Sequence, residues 1–312
     1  MQSGAILRES YLSGGAVVDS GLSRRTFISA LSLAAVALPI TECLTAASRL
    51  AAAAPGGGLL TQLKQARVVR IALANQPPYS ALNPDGTVTG VGPVVVQTIM
   101  ARLGVPRVEG IVAPYANLIP GLQAGRWDII GAVFNISKAR CAQVLYADPL
   151  VFDGGSIAYF ASEVPSPPKS IADIGRMGLT VGILSGSYLI QRAEDRGVSP
   201  SNVQQFPDNP SLADGLTAKR VKVVLAAYSA LRDLRKSHNN EFELAYPLPD
   251  DTPSGGSPAF RKTDLDLYVA FQRELRAMNR SGELDKIRGQ FGFEVLKELR
   301  DETADEACMK AS

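Results

Sequence analysis

Apolar positions in this chain alternate between runs of strand length and stripes of helical spacing. Val68 to Ala74 (Val-Val-Arg-Ile-Ala-Leu-Ala) is a β-rich run that predicts a first, buried strand. Asn83-Pro84-Asp85-Gly86 then signals a turn, because proline presets φ and glycine accepts a positive φ. Val95, Val96, Ile99 and Leu103 recur at helical spacing, and Gly104 directly behind them ends the helix. Val108 to Val112 predicts a second strand, Leu118 to Ala124 a short helix stopped by Gly125, and Trp127 to Val133 a third strand. Strands and helices alternating at these lengths imply βαβ units and a mainly parallel sheet.

The pattern restarts after Pro165-Ser166-Pro167-Pro168, which is loop material. Ile171 to Ile174 is a short helical turn, and Leu179 to Leu184 a strand ending in Ser185-Gly186-Ser187, where a helix begins. A further strand runs from Val221 to Ala227, with a helix from Ser229 to Lys236 behind it. Pro247 to Pro258, dense in proline, glycine and aspartate, is a second break. The last long helix carries Leu267, Phe271, Leu275 and Met278 on one face and ends near Gly282. The expectation is an α/β protein with two such units, plus a tail that must join one of them.

The N-terminal fifty residues read differently. Ser23-Arg24-Arg25-Thr26-Phe27-Ile28 sets two arginines before an apolar run from Phe27 to Ile40, too short to cross a hydrocarbon core of about 30 Å as a helix. Positive charge, a short apolar stretch and small residues, in that order, form a secretory signal. The arginine pair matches the twin-arginine export motif. Cleavage sites of small residues occur at Thr45-Ala46-Ala47 and Ala52-Ala53-Ala54, so residues 1–54 are expected to be a twin-arginine signal peptide and the mature protein periplasmic. Removal takes Cys43 with it and leaves Cys141 and Cys308, a candidate disulfide in an oxidising compartment. Two unpaired thiols are the alternative.

Composition narrows the function classes. Over 312 residues, hydrophobic residues at 46% and charged residues at 20% are ordinary globular values, which excludes disorder and fibrous repeats. Thirty-two basic and 30 acidic residues leave a net charge of +2 with no long basic block, so nucleic-acid binding has no support. A zinc site lacks the His/Cys spacings it needs, no other cofactor is expected, and a serine–histidine or cysteine–histidine enzyme would have to use His238, in a polar surface run. A secreted chain of two α/β units lacking such groups is most simply a binder of small molecules in the crevice between them.

A set of segments then carries a resemblance. Asn75-Gln76-Pro77-Pro78-Tyr79, Pro84-Asp85-Gly86-Thr87-Val88-Thr89-Gly90, Leu118 to Ile130, Ser137-Lys138-Ala139-Arg140 and Gly182 to Ser187 occur in one order from about Arg67 to Phe291. Together they resemble the polar-amino-acid family of periplasmic solute-binding proteins. Phe206-Pro207-Asp208-Asn209-Pro210, Ala139-Arg140-Cys141 and the late Cys308 are most similar to the ectoine/hydroxyectoine-binding proteins of ABC importers. The resemblance implies a two-lobed type II periplasmic-binding-protein fold with two hinge strands. It assigns residues 66–158 and 256–312 to the first lobe and 159–255 to the second. It also implies a monomer that captures a small carboxylate-bearing zwitterion and hands it to a membrane permease.

Site residues follow position by position from the same resemblance. Arg140 matches the arginine that clamps a ligand carboxylate, a task suited to its bidentate guanidinium fork. Ser137 matches a hydroxyl-bearing position. Gly186 and Ser187, at a strand end and helix start, offer backbone N–H groups to an anion. Tyr79 and Tyr115 match aromatics that pack an ectoine-type ring and attract its cation. Phe134 or Asn135 occupies the third aromatic position, and Asn209 completes the set. Gln76 stands where a glutamate is usual, and Ala226-Ala227 where an aspartate for an α-ammonium group is usual. The expectation is therefore a cleft with a cationic anchor, no evident anionic one, and ring faces to meet any ligand cation. Three other readings remain: a polar amino acid or opine binder, a dehydratase-type enzyme on the same fold, and a sensor module acting on a membrane receptor.

Overall fold

Alternation along Val68–Leu73 (β1) sends Val69, Ile71 and Leu73 into one core and Ala72 into another, so the strand is covered on both faces. That is the expected condition of a strand inside a parallel sheet. The structure, a computed structural model, describes residues 57–294 and 301–311. The segment read as an export signal, with Cys43, lies outside the described residues.

The first sheet pairs β1 in parallel with Arg107–Val112 (β4) and Ile129–Asn135 (β5). A hairpin of Ala81–Leu82 (β2) and Val88–Thr89 (β3) interrupts the path between them, turning at the Asn83–Gly86 signal. Leu145–Tyr146 (β6), Val151–Asp153 (β7) and Ser254–Phe260 (β13) complete the sheet, with β13 antiparallel to β5, β6 and β7. Gly155–Tyr159 (β8), Val181–Leu184 (β9), Val203–Phe206 (β10), Val223–Ala227 (β11) and Glu243–Ala245 (β12) form the second sheet, ordered β10-β9-β11-β8-β12. The chain therefore crosses between sheets twice, at Gly154 and again between β12 and β13. This is the two-lobed architecture that the resemblance implies.

Helices cover each sheet. Leu59–Ala66 (α1) and Val91–Arg102 (α2) precede Leu118–Gln123 (α3) and Lys138–Cys141 (α4) in the first lobe. Ile171–Arg176 (α5), Tyr188–Asp195 (α6), Asn209–Thr217 (α7) and Tyr228–Ser237 (α8) belong to the second. Leu265–Ser281 (α9) and Glu283–Gln290 (α10) return to the first lobe, where Leu267, Phe271, Leu275 and Met278 pack with Val95, Val96, Ile99 and Met100 of α2. The helical stripes read from the sequence are thus the two halves of one core.

β13 occupies the segment that the sequence reading takes as a break. Its composition, Ser-Gly-Gly-Ser-Pro-Ala-Phe, hides it because glycine and proline are poor strand formers. The structure shows what each does here. A Cβ on Gly256 would lie 2.5 Å from Cγ1 of Val133, so only a bare backbone fits beside β5. Pro258 falls where the β13–β5 register shifts, a bulge in which its missing N–H costs no ladder bond. Its carbonyl still accepts from the Ala147 N–H at 3.0 Å.

Ala304–Lys310 (α11) packs against the first lobe beside α4. A capping box at Thr303 and Glu306 starts the helix. Asp148 accepts the Ala304 N–H at 3.0 Å, and Cys308 sits against Cys141 with Cα atoms 6.0 Å apart, a spacing that suits a disulfide.

Candidate functional site

Both sheets end at a common cleft. A cavity of about 590 Å3, partly open to solvent, lies there. The loop after β1 gives it Gln76 and Tyr79, and the loop is fixed locally: the Gln76 and Ser80 backbones bridge, and Ser80 Oγ donates to the Ala74 carbonyl at 2.7 Å. Tyr79 packs its ring on Phe293 at 5.2 Å. Tyr115 comes from a short turn before α3, and Val133 and Asn135 from the end of β5. From the second lobe come Ser187 and Tyr188 at the start of α6, Asn209 at the start of α7, and Ala226 and Ala227 at the end of β11.

The period of two along β5 settles which of two neighbours faces the cavity. Val133 and Asn135 line it, and Phe134 points to the opposite face, between Tyr115 at 5.1 Å and Tyr146 at 6.1 Å. Phe134 carries Arg140 instead, whose guanidinium carbon lies 4.1 Å above the ring centroid. Arg140 Nη1 donates to the Asn135 carbonyl at 2.8 Å, and Nη2 donates to the Gly186 carbonyl of the second lobe at 2.7 Å. The guanidinium thus borders the cavity through Asn135 and Gly186 rather than lining it.

Gly186 makes that approach possible. Its φ is +77°, and a Cβ there would lie 2.8 Å from Cα of Ala116 in the first lobe. Ser187 caps α6, with Oγ accepting from the Leu189 N–H at 3.2 Å, while its own N–H donates to the Leu184 carbonyl. Ser137 precedes α4 and lines a neighbouring cavity that runs toward Lys310 and Ala311. The structure therefore gathers Gln76, Tyr79, Tyr115, Asn135, Ser187 and Asn209 around one cavity, and sets Phe134, Ser137, Arg140 and Gly186 beside it.

Asn209 stands out physically. The residue is 1% exposed, yet among the described residues neither Nδ2 nor Oδ1 has a hydrogen-bond partner. A buried amide without partners costs on the order of 1–3 kcal/mol. Asp208, not Asn209, caps the helix by accepting the Ser211 N–H at 2.8 Å, so capping does not explain the residue.

The sequence reading missed Asp153, an acidic side chain in the cavity wall. Asp153 lines the cavity from the end of β7. The hydroxyl of Tyr79 donates to its Oδ2, and the Ser229 N–H at the start of α8 donates to the same oxygen at 3.0 Å. Burial pushes the Asp153 carboxyl above its ordinary value despite these donors. Burial, with the Asp153 charge beside it, also pushes the Tyr79 phenol well up, and burial does the same for Tyr188. Asp251 at the second crossing differs: 1% exposed, it accepts the Gly155 N–H and is paired with Arg192. The signal for Asp153 is a lone carboxylate within the apolar run Pro149 to Tyr159, away from the positions of Gln76 and Ala227 where the resemblance leads one to expect acids.

Comparison with known proteins accords with this geometry. The family of bacterial extracellular solute-binding proteins, family 3, matches residues 69–294. The chain is 34% identical, with a TM-score of 0.76, to the structure of EhuB in complex with hydroxyectoine, over 80% of this chain and 97% of that one. It is 27% identical to the probable amino-acid ABC transporter periplasmic-binding protein y4tE of Sinorhizobium fredii (strain NBRC 101917 / NGR234), over 83% of this chain and 89% of the relative. It is 25% identical to the L-cystine-binding protein TcyJ of Escherichia coli (strain K12), over 77% and 88% respectively.

Proposed function

This chain belongs to the bacterial extracellular solute-binding proteins, family 3, and we propose that it is the periplasmic binding component of an ABC importer that captures a small carboxylate-bearing zwitterion of the ectoine type. The observation that carries the ligand class is the cavity wall. Tyr79 and Tyr115 supply aromatic surface from the first lobe, and Asn209, whose buried amide has no hydrogen-bond partner among the described residues, lines the cavity from the second. Flat rings suit a compact cyclic solute, and an unsatisfied amide in the cavity wall suits its polar edge. The likeness to the hydroxyectoine-bound EhuB points the same way. Arg140, on the rim, supplies the positive charge for a carboxylate. The two crossings at Gly154 and before β13 are the hinges about which the lobes close.

Export through the twin-arginine route and an oxidised Cys141–Cys308 pair complete the proposal. The deciding experiment is calorimetry of the mature protein with ectoine, hydroxyectoine, common α-amino acids and opines. Tightest binding of ectoine or hydroxyectoine supports the reading. Submicromolar binding of an ordinary α-amino acid, with ectoine inert, replaces it with an amino-acid binder.

A further inference from the structure

Asp153 is the one feature of the cleft that aromatic packing and a carboxylate anchor leave unexplained. Among the described residues, no lysine or arginine pairs with it. The titratable groups that neighbour it among the described residues are Tyr79 from the loop after β1, Tyr188 from α6, Tyr246 beyond β12, and Asp251, which Arg192 pairs. A carboxylate withdrawn from water without a countercharge stays ionised only at a cost, which a cation arriving beside it offsets. Its Oδ2 accepts from Tyr79 and from the Ser229 N–H, the Ser229 side chain also bonds the carboxylate, and Oδ1 accepts the N–H of Gly154 at 2.9 Å. The carboxylate lines the same cavity as Asn209 and the two tyrosines.

We infer that Asp153 is the specificity-determining anion of this cleft, which receives the cationic part of the ligand. The inference rests on the reading of the cleft as a zwitterion site and adds a polarity to it. The ligand lies with its carboxylate toward Arg140 and its cation toward the first hinge crossing. A solute with a neutral ring in place of the cation leaves Asp153 unpaired and is rejected. Because the carboxyl is held above its ordinary value, a cation entering the site favours the ionised form and drives a proton off.

The test is calorimetry of the mature wild-type protein and Asp153→Asn, with ectoine, hydroxyectoine and α-amino acids as cation-bearing probes and L-pyroglutamate as a cyclic carboxylate with a neutral ring. The substitution keeps an oxygen for Tyr79 and Ser229 and removes the charge. The expected result is that the best cation-bearing probe binds on the order of 30-fold or more weakly to Asp153→Asn, while its preference over pyroglutamate collapses. A second measurement needs no variant. Titrations of the wild type in buffers of different ionisation enthalpy, near the acidic end of about pH 7 to 4, are expected to show proton release on binding. Equal affinity in the two proteins, or binding without proton release, overturns the role of Asp153 and leaves the zwitterion site standing. A wild type inert to every cation-bearing probe overturns both.

Discussion

The guanidinium of Arg140, on the first lobe, donates across the cleft to the carbonyl of Gly186, on the second, at 2.7 Å. The same side chain holds the Asn135 carbonyl at 2.8 Å and has its guanidinium carbon 4.1 Å over the Phe134 ring centroid. One residue thus spans the strand that lines the cavity and the opposing helix start. On the proposed reading, closing the lobes and holding a carboxylate would draw on this single fork.

Arg140→Ala should leave the fold intact and weaken the bound carboxylate by about 2–5 kcal/mol, since a desolvated charge loses its partner. Arg140→Lys should recover only part, because an ammonium cannot reach Asn135 and Gly186 together. Isothermal titration of both variants checks this; wild-type affinity in Arg140→Ala removes the arginine from the site.

Gly186→Ala places a methyl group against the Ala116 backbone in a left-handed conformation. The expected outcome is a modest loss of stability, about 1–2 kcal/mol, with a larger loss of ligand affinity because the lobes cannot approach. Thermal unfolding and ligand titration separate the two effects. Affinity falling no further than stability would show that the close approach is not needed.

Asn209→Leu replaces an unpartnered buried amide by an apolar group of similar shape, a change that is neutral or stabilising by itself. The ligand-free melting temperature should hold or rise while ligand affinity drops by about 1–1.5 kcal/mol, the usual contribution of one hydrogen bond. A fall in melting temperature with affinity unchanged would assign Asn209 to the framework.

Cys141 and Cys308 are separated by 167 positions. Closing a loop of that length is worth roughly 5 kcal/mol in the chain-entropy model. Unfolded, non-reduced mature protein should therefore show no titratable thiol, and reduction should lower its denaturation midpoint. Two free thiols would refute the bond.

Burial opposes ionisation of Asp148, but Arg276, the Ala304 N–H and Gln272 outweigh it and hold the carboxyl below its ordinary value. A depressed carboxyl stabilises the fold above the unfolded-state value, near pH ~3.9, and ceases to as pH falls through the folded one. Asp148→Asn should cost about 1–2 kcal/mol at neutral pH, and the gap from wild type should close in acid. Denaturant midpoints measured down the pH scale test it; a gap independent of pH would mean the charge does not matter.

Periodic apolar runs carried most of the architecture. Val69, Ile71 and Leu73 announced a buried strand, and Leu267, Phe271, Leu275 and Met278 announced the face of α9 that meets α2. β13 was illegible because its place depends on what it lacks: Gly256 is there to make room for Val133, a relation visible only once the strands pair. At the site, motif likeness brought Gln76, Tyr79, Tyr115 and Asn209 to the cavity. Whether Phe134 or Asn135 faces it needed the pleat of β5. Asp153 escaped because a carboxylate at the end of an apolar strand has no motif, and its place in the cavity wall depends on the partners that the fold brings round it.

β13 also sets an order of assembly. The strands of the second sheet, from Gly155 to Ala245, lie in one continuous stretch and can pair as soon as that stretch exists. The first sheet must wait. Its β5 edge stays open until residues 254–260 arrive, so that Ile130 meets Ala259 only after the whole second lobe has been made. Long-range closure of this kind slows folding and leaves an unpaired strand edge exposed meanwhile. The lobe that comes later in the chain is thus the first able to finish, and the earlier lobe spends its youth with an open seam.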